Sequence, residues 1–71
     1  MTIKSINVRN QFRGKIHEII SGDVLTEVDV ETPFGIVTSV ITSRSVRELE
    51  LKIGDEVIAF VKSTEVSIAK L

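Results

Sequence analysis

The 71-residue chain contains no cysteine, no tryptophan and no tyrosine, and it has a single histidine. Without cysteine it can form neither a disulfide nor a thiolate metal site, and one histidine cannot build a transition-metal site by itself. The sequence also lacks a glycine-rich phosphate loop and a second histidine for acid–base chemistry. We therefore predict a protein that is not an enzyme and that holds no bare metal cation.

Positive and negative charges are nearly balanced, because the chain has 9 basic and 10 acidic residues and a net charge of −1. Nucleic-acid-binding domains carry a basic excess and stack bases on exposed aromatic rings, whereas three phenylalanines are the whole aromatic content here. No run approaches the roughly 18 apolar residues of a membrane span, and the first ten residues lack the apolar centre of a signal peptide. We expect a cytoplasmic protein with no nucleic-acid partner and no membrane partner.

The length predicts one domain over residues 1–71, with little stability as a monomer. A chain of this mass buries only about 60% of its unfolded surface. The hydrophobic gain from that burial is about the size of the conformational entropy that folding costs. With disulfides and metals excluded, self-association is the remaining source of stability.

Alternating apolar and polar residues predict two strands, 11–20 and 24–31, on either side of a turn at Gly22. Pairing residues whose numbers sum to 44 places the apolar side chains of both strands on one face. The same register sets opposite charges against each other on the second face. These expected pairs are Arg13 with Glu31, Lys15 with Asp29 and His17 with Glu27.

The remaining sequence continues this pattern, with one interruption. Residues 36–42 are apolar on both faces of a third strand, and Ser45 and Glu48 then have the spacing of a helix capping box. Residues 57–61 form a continuous apolar run, and residues 65–71 alternate again as a fifth strand. The fold class is therefore predicted as all-β, a five-stranded OB-like Greek-key barrel with one short helix between strands 3 and 4.

Cations and hydroxyl groups recur near the predicted strand ends. Arg9 precedes the first strand, Thr42 and Ser43 lie at the strand-to-helix corner, and Lys62 and Ser63 follow the fourth strand. Together with the free N–H groups of a helix start, they would suit a compact oxyanion. Each also has a simpler explanation: Thr42 or Ser43 caps the helix, Ser63 turns the chain, and the two cations are solvated.

Two segments, "NVRNQFRGKI" and "VITSRSVRELELKIGDEVIAFVKSTEVSIA", resemble the molbindins, a family of small cytoplasmic molybdate-binding proteins. The molbindin pattern is S-A-R-N-Q-x-x-G-x-V, then I-T-x-x-S-x-x-x-L-x-L-x-x-G-x-E-V, and finally V-K-x-x-x-V. The similarity spans nearly the whole chain, with the motifs in the same order and spacing. It implies an OB-like barrel that assembles into a homohexamer, a trimer of dimers, and that binds molybdate or tungstate between subunits.

The resemblance also implies the residues of the oxyanion site. Cations and hydroxyls supply the charge and donors, and backbone N–H groups near the N-terminal motif add to them. The expected oxyanion-binding residues are Asn7, Val8, Arg9, Thr42, Ser43, Lys62 and Ser63. Asn7 stands where the family has serine, and its amide is a larger donor than a hydroxyl. Lys15 and His17 are candidates for a secondary oxyanion site on the threefold axis.

The predicted function is cytoplasmic storage or buffering of molybdate or tungstate, bound as a ligand. Molybdate is a tetrahedral dianion, and its four oxygens need donors in several directions, which two subunits supply more easily than one small barrel. The alternative is a structural or regulatory oligomeric OB-like module with weak or no oxyanion binding.

Overall fold

The computed structural model describes residues 6–71, so the first five residues of the predicted domain lie outside the described residues. Four strands form one antiparallel sheet in the order β3-β2-β1-β4. Their bounds are Asn10–Ile20 for β1, Leu25–Thr32 for β2, Gly35–Thr42 for β3 and Glu56–Val61 for β4. Helix α1, Ser43–Glu48, lies between β3 and β4, and a 3₁₀ turn at Ser63–Glu65 follows β4. The all-β class and the place of the helix are confirmed.

Four strands are present in the described residues, where the sequence pattern predicts five. Residues 66–71 pair with no strand, and the side chains of Ile68 and Leu71 are almost fully exposed. An alternating sequence becomes a strand only where a neighbour completes its backbone hydrogen bonds. The fold is a curled, open half-barrel, and the five-stranded barrel is not confirmed.

The predicted register of the first hairpin is wrong. Lys15 pairs with Glu31, a sum of 46, and beyond a β-bulge at His17 the pair Ile20–Glu27 sums to 47. The prediction assumed a tight turn, whereas a four-residue loop joins the two strands. A bulge adds one unpaired residue and reverses the alternation after it. Neither feature is visible in the apolar pattern of a single strand.

The predicted cross-strand charge pairs are not formed either. Nδ1 of His17 lies 3.5 Å from Oε2 of Glu31, and the guanidinium of Arg13 lies 3.2 Å from Oε1 of Glu56. Glu56 belongs to β4, which pairs with the other side of β1. Lys15 is in no ion pair within residues 6–71. All four ion-paired side chains are more than half exposed, so these pairs contribute little stability.

The core lies on the inner face of the sheet. Its buried apolar residues are Ile16, Val28 and Val30, each at most 3% exposed. Half-buried side chains from α1, β3, β4 and the segment after the helix pack around them. The bulge turns Ile19 towards this core and leaves Ile20 half exposed, which reverses the facing predicted for Ile20.

Glycine is required at one point of β1. A Cβ atom on Gly14 would collide with the backbone carbonyl of Glu31 on β2. The two strands approach this closely just before the bulge, so the missing side chain permits the bend of the sheet.

Helix α1 begins one residue after Thr42, not at the predicted capping box. Thr42 is the N-cap: its Oγ1 accepts a hydrogen bond from the backbone N–H of Ser45 (3.1 Å) and donates one to Oγ of Ser45 (2.8 Å). Glu48 is the last helical residue, not a partner of the cap. The described part of the chain contains no helix with the length and hydrophobicity that a membrane crossing requires.

Candidate oxyanion site

Arg9 and Lys62 come together at one end of the β1–β4 ladder. The last pair of that ladder is Asn10 with Val61, so Arg9 immediately precedes β1 and Lys62 immediately follows β4. Nδ2 of Asn10 donates a hydrogen bond to the carbonyl of Val61 (3.2 Å), which ties the strands together beside them. Within residues 6–71 neither cation has an ion-pair partner. Like charges in opposing positions repel each other, so this corner attracts an anion.

Three more of the expected residues flank this cationic corner. Asn7 is exposed, Val8 is half-buried, and the carbonyl of Val8 accepts a hydrogen bond from Nε2 of Gln11 (2.6 Å). Ser63 opens the 3₁₀ turn directly after Lys62, and no side-chain hydrogen bond caps this turn. The sequence-predicted residues at the two ends of the chain are therefore brought together by strand pairing.

Thr42 and Ser43 lie elsewhere, at the end of β3, which is separated from β4 by two strands. Ser43 is buried; its Oγ donates to the carbonyl of Gly22 and lies 2.7 Å from Oγ1 of Thr26. These contacts anchor the β1–β2 loop to the start of the helix. Thr42 is exposed, but its hydroxyl contacts Ser45 as the helix cap. No hydrogen bond among residues 6–71 connects this corner with the cationic corner.

Sequence reasoning missed two arginines at the Thr42 corner. Arg44 and Arg47 line a depression together with Thr42, Val24 and Asp23. The two arginines are three residues apart on α1, so they share a helix face. Both are exposed and have no ion-pair partner in the described residues. Their spacing was a signal in the sequence, and it adds positive charge beside the Thr42 hydroxyl.

Lys15 and His17 line an open groove that also contains Arg13. Glu31 and Glu56 border the same groove, and they pair with His17 and Arg13 as described above. The carboxylates offset most of the positive charge of the groove. It therefore attracts an anion less strongly than the cationic corner does. No group of three or more His, Asp or Glu side chains in residues 6–71 is arranged to hold a metal ion.

The outer face of β2 is acidic. A hydrogen bond with Asp29 and repulsion from its charge raise the pKa of Glu27 above its ordinary value, and Glu18 adds to the effect. Oγ1 of Thr38 donates to Oδ1 of Asp29 (3.0 Å). The negative charge of this face disfavours an anion, in contrast to the two basic corners.

Comparison with known proteins supports the motif resemblance. Residues 6–68 match the TOBE domain family. Molybdenum-pterin-binding protein 2 of Clostridium pasteurianum is 46% identical over 65 residues, which are 90% of this chain and 96% of that protein. The solved structure of MopII from Clostridium pasteurianum has a TM-score of 0.87 at 45% identity and covers 93% of this chain and 100% of its own. A molybdate-binding protein from Sporomusa ovata has a TM-score of 0.88 at 33% identity and covers 93% of this chain and 98% of its own.

These similarities extend over nearly the whole of each partner, in sequence and in fold. The curled four-stranded sheet with one short helix is common to them. The chain belongs to the molbindin family of TOBE-domain proteins.

Proposed function

We propose that this protein binds molybdate or tungstate as an intact oxyanion, at junctions between copies of the chain, and so stores or buffers the metal in the cytoplasm. The observation that carries the proposal is the cationic corner, where Arg9 and Lys62 each adjoin the last pair of the β1–β4 ladder with no acidic partner among residues 6–71. The relatives are named for molybdate or molybdenum-pterin binding, and none of those names describes catalysis.

The chemistry of the corner suits a tetrahedral dianion. The Arg9 guanidinium and the Lys62 ammonium are charged donors, which form shorter and stronger hydrogen bonds than neutral groups. The Ser63 hydroxyl, the Asn7 amide and the N–H of Val8 are neutral donors in the residues next to these cations. Charged hydrogen bonds contribute about 1.5–3 kcal/mol each. Two of them with several neutral donors reach micromolar affinity, about −8 kcal/mol.

A second copy completes the site in this proposal. Thr42 lies on the other edge strand, so a neighbouring chain presents its Thr42 corner to the cationic corner of the first. Arg44 and Arg47 then add charge from that neighbour. Ser43 does not contact the ion in this proposal, because its hydroxyl is already bonded within the chain. A homohexamer, a trimer of dimers, is the proposed assembly.

Lys15 and His17 are proposed for a secondary oxyanion site on the threefold axis of that assembly. Lys15 has no ion-pair partner in residues 6–71, and three copies would present three such lysines. The acidic residues of the groove make this site weaker than the first.

Titration calorimetry of the full chain with molybdate, tungstate and sulfate tests the proposal, together with metal analysis and the mass of the purified oligomer. Micromolar binding of molybdate or tungstate supports it. The alternative is a structural or regulatory oligomeric module, which is favoured by the engagement of Thr42 and Ser43 in structural hydrogen bonds. An oligomer without affinity for either oxyanion would establish that alternative.

A further inference from the structure

Two neighbouring amide side chains of β1 are hydrogen-bonded to the backbone beside the cationic corner. Nε2 of Gln11 donates to the carbonyl of Val8 (2.6 Å), and Nδ2 of Asn10 donates to the carbonyl of Val61 (3.2 Å). Each accepting carbonyl belongs to the residue immediately before a cation of the corner. Each amide therefore holds the peptide unit that carries the backbone N–H of that cation.

The geometry of the peptide bond makes these two hydrogen bonds a constraint on two donors. No peptide bond among residues 6–71 is cis. In a trans peptide the carbonyl oxygen and the N–H of the next residue lie in one plane and point in opposite directions. The bond to the carbonyl of Val8 thus also sets the direction of the N–H of Arg9. The bond to Val61 does the same for the N–H of Lys62.

These two N–H groups are available to a ligand. Arg9 precedes β1 and Lys62 follows β4, and both residues are exposed. Within residues 6–71 neither backbone N–H donates a hydrogen bond to another part of the chain. A backbone N–H is an obligatory donor, so each of the two takes either water or an anion.

The hydrogen bond of Gln11 contributes little to the fold. It joins residues only three apart at the surface, so it connects no separate strands. Ordering a long exposed side chain also costs conformational entropy. What the bond fixes is the backbone at residues 8–9. The bond of Asn10, in contrast, crosses from β1 to β4 and also ties the end of the ladder.

We propose that Gln11 and Asn10 are positioning residues of the oxyanion site, which aim the N–H groups of Arg9 and Lys62 at the ion. This inference rests on the proposed function, because it assigns the residues that order its donors. Each cation then brings a fixed backbone donor besides its mobile side chain. Fixed donors distinguish tetrahedral anions by size, whereas mobile side chains close around either ion. Sulfate is smaller than molybdate, so the two amides favour molybdate.

Gln11→Met in the full chain tests this role, with Thr38→Val as its matched control. Methionine has nearly the length of glutamine but no donor, and Thr38→Val also removes one exposed side-chain hydrogen bond, on the outer face of the sheet. Gln11→Met should weaken molybdate binding about 5- to 10-fold in titration calorimetry, and sulfate binding less than about threefold. Thr38→Val should change both affinities less than about twofold. A loss of stability alone would not lower the ratio of molybdate to sulfate affinity.

Amide NMR provides a second measurement, which follows each donor separately. Addition of molybdate to the unsubstituted chain should move the amide protons of Arg9 and Lys62 downfield. Gln11→Met should reduce the shift at Arg9 and keep the shift at Lys62. Asn10→Leu should do the reverse, and the Gln11→Met result stands by itself if Asn10→Leu is poorly folded.

The outcomes separate the positioning role from the proposed function. Equal molybdate affinity and equal ion selectivity in Gln11→Met and Thr38→Val would overturn the positioning role and leave the proposed function standing. An equal reduction of both amide shifts in Gln11→Met would show a general loosening of the corner, which would also overturn it. An unsubstituted chain that binds neither molybdate nor tungstate would refute the proposed function, and the positioning role with it.

Discussion

Removal of the Lys62 ammonium separates oxyanion binding from folding. The side chain of Lys62 forms no ion pair and no cap hydrogen bond in the described residues, and it is exposed. Lys62→Ala therefore leaves the sheet intact. It also relieves the repulsion from Arg9, so the ligand-free variant should be as stable as the unsubstituted chain or more stable by a few tenths of a kcal/mol.

The effect of Lys62→Ala should appear only when molybdate is present. One charged hydrogen bond contributes about 1.5–3 kcal/mol, so Lys62→Ala should weaken molybdate binding about 10- to 150-fold in titration calorimetry. An unfolding entropy of about 150 cal/mol/K is expected for a chain of this length. A loss of about 1.5 kcal/mol then reduces the molybdate-induced rise in Tm by about 10 °C at saturating ligand.

Lys52→Ala is the matched control, because it removes the same charge from an exposed lysine in the turn before β4. Its molybdate affinity should stay within about threefold of the unsubstituted chain, since exposed charges beyond a Debye length are screened. If Lys62→Ala binds molybdate as tightly as Lys52→Ala does, the cationic corner is not the oxyanion site.

Three further predictions concern other parts of the fold. Gly14→Ala drives a methyl group against the Glu31 carbonyl and should lower the free energy of unfolding by about 2–4 kcal/mol in urea titrations. Ser43→Ala leaves the Thr26 hydroxyl without its buried hydrogen-bond partner and should lower the free energy of unfolding by about 1–3 kcal/mol. The molybdate affinity of the folded variant should be unchanged. The pKa of Glu27 is raised above 4.5, so the folded chain holds its proton more tightly than the unfolded chain. This contribution to stability should increase as the pH falls from neutral towards 4.5, and thermal melts of Glu27→Gln should lack it.

Each of these three predictions has a result that would contradict it. Glu48→Gln is the control for Glu27→Gln, since Glu48 is an exposed carboxylate at the end of α1. If the melting temperatures of the two variants depend on pH in the same way, the raised pKa of Glu27 does not contribute to stability. An unchanged urea midpoint in Gly14→Ala would show that the strands separate at no cost. A tenfold loss of molybdate affinity in folded Ser43→Ala would show that its hydroxyl contacts the ion.

Strand positions were predictable because alternation is a local property of the chain. Residues 36–42 and 57–61 were expected as strands, and the observed β3 and β4 begin only one residue earlier. The hairpin register was not predictable, because the bulge at His17 depends on how two strands pack, not on either one. The capping box predicted at Ser45 and Glu48 is wrong, whereas the simpler explanation of Thr42 as the helix cap is confirmed. Thr42 and Ser45 both have the side chain of a cap, and only the path of β3 decides which one is used.

The candidate site shows the same division. Residue types and motif order singled out Arg9 and Lys62, but their adjacency comes from a ladder that pairs Asn10 with Val61, 51 positions along the chain. The burial of Ser43 was equally hidden, since its partners come from the loop and from β2.

The sequence by itself determined the all-β class, the positions of the four strands and the molbindin membership, because alternation and motif order are properties of a linear chain. Only the tertiary structure decided which residues meet, which hydroxyls are already bonded, and that residues 66–71 have no strand to pair with in this chain. Those outcomes depend on hydrogen bonds between distant segments, and such bonds are formed only when every segment has its place in the sheet.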